Sequence, residues 1–87
     1  MSGDKKKLVQ RLKRIEGQVR GLQKMITDNV YCIDVITQTS AVKQALSGVE
    51  DVLLEDHLKT CVISQVEKGQ KEKAVQEVLK VYKLKRK

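Results

Sequence analysis

An all-α fold of three helices is what this chain predicts, and three observations carry that expectation. Its 87 residues include no Pro, Phe or Trp, which leaves the interior to Leu, Ile and Val, a composition suited to helix packed on helix. Apolar residues recur at steps of three and four over long stretches. No strand-turn-strand pattern interrupts them. The length gives room for one domain over 1–87, with no internal repeat or linker. A core of that size is marginal alone, so association of copies is expected.

The first helix is expected over about 5–28. Leu8, Leu12, Ile15, Val19, Leu22 and Ile26 alternate steps of four and three, which draws a narrow apolar seam along about five turns and calls for a second helix packed lengthwise. Asp4 can cap its start, and Asp28 with Asn29 supplies the stop. Gly17 and Gly21, four apart, share a face and offer room for a close backbone approach. The second helix is expected to start near Tyr31 or Cys32 and to run to about Glu67, with Gly69 as terminator, a span of 31–67. Gly48 is its weak point, costing about 1 kcal/mol relative to Ala, yet no Pro or polar cluster accompanies it and one continuous helix is favoured. The third helix is expected over 70–82, burying Val75, Val78, Leu79 and Tyr82, followed by a basic tail at 83–87.

Charge is loaded on the ends of a chain whose net value is +7. Lys5, Lys6, Lys7, Arg11, Lys13, Arg14, Arg20 and Lys24 face only Asp4 and Glu16 in the first 24 residues, and the stretch from Lys80 onward is basic throughout. Such ends can neutralise phosphates and release their counterions, though a solvated helix face with a basic tail would look the same. Nothing resembles a signal peptide and no apolar run approaches membrane length, so a cytoplasmic protein with no membrane partner is expected. In that reducing compartment Cys32 and Cys61 are read as ligands or reactive thiols rather than a disulfide.

Cys32, His57 and Cys61 form a soft donor set. Two thiolates and one imidazole suit a soft monovalent metal better than the four ligands of a structural zinc site. His57 and Cys61, at i and i+4, share a helix face and can grip one ion. On a straight helix the 25 residues from Cys32 to His57 span roughly 37 Å, so one chain cannot close the site. An antiparallel second copy can, with a two-fold axis near Ala45 and Leu46, where Ser40, Ala41, Ala45, Ser47 and Gly48 are small enough for a close crossing. A break at Gly48 is the competing geometry and would fold the ligands together within one chain. Tyr31 and Glu77 are candidates to hydrogen-bond the free nitrogen of His57 and fix its tautomer.

The stretch K-x-x-L-V-x-R-L-K-R-I-E-G-Q-V-R-G-L from Lys5 to Leu22, Y-C-I-D-V-I-T-Q from Tyr31 to Gln38, and H-L-K-T-C from His57 to Cys61 closely resemble the copper-sensitive operon repressor family. The resemblance covers almost the whole chain. It implies an antiparallel four-helix-bundle dimer that pairs into a dimer-of-dimers tetramer and binds double-stranded operator DNA without a helix-turn-helix. It implies that Cys32 of one protomer, with His57 and Cys61 of the other, binds Cu(I) in trigonal S₂N geometry. Tyr31 and Glu77 match the positions that support the ligating His, and Arg11, Arg14 and Lys43 lie where the family places basic residues used for DNA. The expected function is a Cu(I)-responsive transcriptional repressor, on its operator when metal-free and released by copper, which derepresses copper-resistance genes.

Subtypes of that family separate by ligand chemistry. Nickel and cobalt sensors need a His near the N-terminus and another in place of the last Cys, but position 61 is Cys and residues 1 to 10 hold no His. Persulfide sensors keep both thiols and lack the His; formaldehyde sensors need an N-terminal Pro. A thiol-based persulfide sensor or another metal sensor of the family is the alternative, and a helical interaction adaptor would leave the Cys and His placement to chance. An enzyme is not expected: His57 beside Cys61 offers a possible thiol-base pair, but no oxyanion motif, Gly-rich loop or third catalytic carboxylate accompanies it.

Overall fold

The computed structural model describes residues 5–86, and all of its regular structure is helical: α1 (Lys5–Thr27), α2 (Cys32–His57), a π-helical turn (Leu58–Val62), α3 (Ile63–Glu67) and α4 (Lys71–Arg86). The proposed Asp4 cap lies outside the described residues. The π-turn and α3 continue α2 without a break in the helical path, so the five elements make three rods. The chain divides into two compact units, the first ending at Leu53 and the second starting at Leu54.

Both rod ends use the same device. At Asn29, φ is 58°, and the Val30 and Asn29 N–H groups donate to the Met25 and Ile26 carbonyls at 3.0 and 3.2 Å. At Gly69, φ is 78°, and the Gln70 and Gly69 N–H groups donate to the Gln65 and Val66 carbonyls at 2.7 and 3.1 Å. Each is a Schellman stop, which needs a left-handed residue and finds it in Asn once and in Gly once. The next helix then starts on a backbone carbonyl, that of Tyr31 for α2 and that of Gln70 for α4.

In the first unit α1 and α2 form a hairpin, joined by a connection too short for anything but antiparallel neighbours. Leu8 and Ile15 of α1 are buried with Val42 and Val49 of α2, and Leu22, Ala45 and Val52 pack against them. The predicted seam is therefore divided. Leu8, Ile15 and Leu22, seven apart, face α2, while Leu12, Val19 and Ile26, also seven apart, remain exposed. α2 passes Gly48 as continuous helix, so the broken geometry falls away. Of the small residues assigned to a crossing, Ala45 packs into the hairpin core, and a methyl group on Gly48 would lie 3.3 Å from Nη2 of Arg11. Gly17 and Gly21 look onto open space, so no close backbone approach uses them within this chain.

In the second unit α3 and α4 pack together, with Ala74 buried at their contact. Two expectations are corrected here. The third helix buries Ala74 rather than Val75, Leu79 and Tyr82, which stay exposed in the single chain; Val75, Val78 and Leu79 line an open apolar groove with Val62 and Val66. Residues 83–86 are not a tail, because α4 runs on to Arg86. Cations are favoured in the last turn of a helix, where they meet the partial negative charge of the free carbonyls. The Arg86 guanidinium also stacks 5.6 Å above the Tyr82 ring, one turn back.

Candidate metal centre

His57 and Cys61 are placed by a local departure from the α-helix. The expectation of regular α-helix to Glu67 is wrong over Leu58–Val62, where the chain widens into a π-turn that contains Cys61 and follows directly on His57. Thr60 marks the cause. Its hydroxyl donates to the Asp56 carbonyl at 2.8 Å, competing with the amide ladder for an acceptor one turn back. At the exit the Ile63 N–H donates to the Thr60 carbonyl. Single π-turns inside α-helices gather at functional sites, because the extra residue re-aims the side chains that flank it.

The same hydroxyl lies 3.6 Å from Cys61 Sγ. It has one proton, so it serves either the Asp56 carbonyl or the sulfur, and a thiolate is the acceptor that would draw it away. Cys61 is exposed and carries a free thiol. Motif reasoning passes over Thr60; a Thr preceding a candidate ligand Cys and four residues after a helical carbonyl is the signal that could have found it.

The imidazole is held from the α4 side. His57 Nε2 faces Glu77 Oε2 at 3.8 Å, ion-pair range rather than the direct hydrogen bond expected, with both side chains partly exposed. With Nε2 turned to the carboxylate, Nδ1 is the nitrogen left to bind a metal. Tyr31 and Cys32 belong to the first unit. Tyr31 is exposed, and its carbonyl accepts from the Asp34 and Val35 N–H groups. Cys32 is the first residue of α2 and is exposed with a free thiol. Among the described residues no three His, Cys, Asp or Glu side chains gather as a metal-holding group.

The donor chemistry fits a soft ion. Two accessible thiols and one imidazole with a free Nδ1 are available, and the chain offers a single His, so a nitrogen-rich site for a harder divalent metal cannot be assembled from its imidazoles. The basic residues singled out for DNA, Arg11, Arg14 and Lys43, are all exposed; Arg11 lies close to the Gly48 backbone on α2.

Comparison with known proteins brings these features together. A family model described as metal-sensitive transcriptional repressor matches residues 4–83. The copper-sensing transcriptional repressor CsoR of Bacillus subtilis (strain 168) is 46% identical over 82 residues, covering 94% of this chain and 81% of the relative. Among solved structures, the copper-sensing repressor CsoR with Cu(I) from Geobacillus thermodenitrificans NG80-2 superposes with a TM-score of 0.89 at 44% identity, covering 100% of this chain and 91% of that one. The nickel-responsive transcriptional regulator InrS superposes with a TM-score of 0.78 at 34% identity, covering 95% and 93%.

Proposed function

The chain belongs to the metal-sensitive transcriptional repressor family, and from that premise we propose that it is a Cu(I)-responsive repressor that binds operator DNA when metal-free and releases it on loading. Membership makes it a regulator rather than an enzyme. The observation that carries copper over nickel is the donor set: Cys at 32 and 61, and a single His at 57. The two structural relatives respond to different metals by name, so the fold does not choose between them and the ligands must.

Cys32, His57 and Cys61 are the ligands of this proposal. Cys32 opens α2 and His57 closes it, and at 1.5 Å per residue those 25 steps amount to roughly 37 Å. The site is therefore shared, Cys32 from one protomer with His57 and Cys61 from its partner. Exposed Leu12, Val19 and Ile26 on α1, with Ile36, Leu46 and Leu53 on α2, supply apolar surface that a second copy covers. Pairing of such dimers gives the tetramer, and the two units of each chain act together as one metal-sensing, DNA-binding domain over 1–87. Among the described residues no helix is long and apolar enough to cross a membrane, and a repressor works where its DNA is, in the cytoplasm.

Bound Cu(I) supplies a soft acceptor that ties these three donors together. The protein does the rest. His57, fixed through Nδ1, presents Nε2 to Glu77, and Glu77 carries the change to α4; Tyr31, adjacent to Cys32, supports the same imidazole from the partner side. Arg11, Arg14 and Lys43 contribute phosphate contacts in the metal-free state. Because the two binding events are coupled, operator DNA lowers copper affinity by the factor by which copper lowers DNA affinity. Release then derepresses copper-resistance genes.

Anaerobic titration of the complex with its own upstream DNA, using Cu(I), Ni(II) and Zn(II) in parallel, tests this proposal. Release by Cu(I) at one ion per chain is expected. Release by Ni(II) alone, or by none of the three, would overturn it.

A further inference from the structure

Outside the ligand set, the strongest unassigned feature is α4. Within Lys71–Arg86 it carries six cations, Lys71, Lys73, Lys80, Lys83, Lys85 and Arg86, against the carboxylates of Glu72 and Glu77. Both carboxylates have partners. Glu72 accepts from the Gln76 amide at 3.1 Å, and Glu77 faces His57. Lys73, Lys80 and Lys83 are exposed, and their spacing of seven and then three residues, two turns and then one, sets them in a stripe along one side of the helix. The opposite side holds buried Ala74 and the half-buried Val78 that line the groove against Val62 and Val66.

We propose that this stripe of Lys73, Lys80 and Lys83 is a second phosphate-contacting surface for duplex DNA, separate from the first helix and carried on the same helix as Glu77. The inference rests on the repressor function above and adds where its signal is read. A row of exposed cations at helical spacing matches the repeating charge of a DNA backbone, which binds by counterion release and without base readout. The alternative anionic surface, a membrane, fits less well. An interfacial helix must bury its apolar side in lipid, and here that side is already partly engaged by α3 and the π-turn. The placement also gives Glu77 a direct task. Glu77 lies one turn before Lys80 and less than two before Lys83, so any shift of its carboxylate when His57 is fixed moves the stripe with it, with no intervening loop.

The test uses the full-length double variant Lys80→Gln/Lys83→Gln and its charge-keeping counterpart Lys80→Arg/Lys83→Arg. Both are titrated on the protein's own upstream DNA, on a scrambled duplex of equal length and on vesicles containing phosphatidylserine, over a series of salt concentrations. For the Gln pair, the slope of log affinity against log salt should fall by about two on both duplexes, near 0.9 for each phosphate no longer neutralised, while the Arg pair keeps the parent slope and both bind Cu(I) as the parent does. An unchanged slope on both duplexes overturns the stripe while leaving the repressor function standing, since the parent still binds and releases its operator. Loss of vesicle binding with unchanged DNA slopes also overturns it, in favour of a lipid surface. If the parent shows no preference for its upstream DNA but the Gln pair still lowers the slope on the scrambled duplex, the stripe stands and specific repression is what fails.

Discussion

His57 Nε2 and Glu77 Oε2 face each other at 3.8 Å, so the only imidazole of the chain is aimed at α4 before any metal arrives. That relationship separates binding from signalling, because Glu77 touches the ligand without being one. Glu77→Ala should load Cu(I) with near-parent affinity yet stay on operator DNA at metal levels that clear the parent. His57→Ala should also lose copper-driven release, though its two thiolates still hold the ion. Paired copper-binding and DNA-release titrations check this. Normal release from Glu77→Ala would place the switch at the Cys32 end of α2 instead.

A shared site makes a prediction about mixtures. Cys32→Ala and Cys61→Ala protomers each spoil a different half, so mixed dimers should recover about one intact site per dimer, while either variant alone has none. Copper stoichiometry after unfolding and refolding the mixture reads this directly. No recovery would mean that each chain builds its own site.

Arg14 is exposed on α1, whereas Arg11 lies against the backbone of α2 at Gly48. Arg14→Ala should therefore weaken operator binding by leaving one phosphate without its cation, and lower the salt slope by about one. Binding isotherms across salt concentrations measure it. An unchanged slope would make Arg14 a solvated side chain with no part in DNA binding.

What is legible in the sequence, and what is not, divides along physical lines. Rod ends at Asn29 and Gly69 can be read because a left-handed stop needs particular residue types. Cys32, His57 and Cys61 can be named because few other side chains offer soft donors. The π-turn cannot be read: Leu, Lys, Thr, Cys and Val over 58–62 suit an ordinary helix, and the widening depends on which acceptor the Thr60 hydroxyl takes. The end of α4 misleads because a run of cations looks like a solvated tail, when in the last turn it complements the helix dipole and stacks on Tyr82. Periodicity also does not say which half of the α1 seam the chain keeps for itself.

Gly48 sets a helix-propensity gain against a close contact. A methyl group there would lie 3.3 Å from Nη2 of Arg11, but that atom is the far end of a flexible side chain and can give way. Removing an interior glycine from a helix gains up to about 1 kcal/mol. Gly48→Ala should thus raise the melting temperature by several degrees in a domain of this size. A lowered melting temperature would show that the guanidinium is pinned against α2.

The two rows of the α1 seam should fail in different ways. Ile15 is 6% exposed and sits in the hairpin core with Val42, so Ile15→Ala should cost about 2–5 kcal/mol through reduced burial and the cavity left behind. Val19 is 40% exposed in the single chain, one helical turn away on the other row with Leu12 and Ile26. A charge there costs a lone hairpin little, but buried and unpaired between two copies it is expensive. Val19→Asp should therefore shift sedimentation equilibrium toward the monomer at protein concentrations where Ile15→Ala, measured below its melting temperature, still associates. Loss of the partner should also remove the third copper ligand, so the Val19→Asp monomer should retain His57 and Cys61 as a weaker two-donor site. A Val19→Asp protein that keeps the parent mass and the parent copper affinity would mean that the exposed row of α1 is not where the second copy packs.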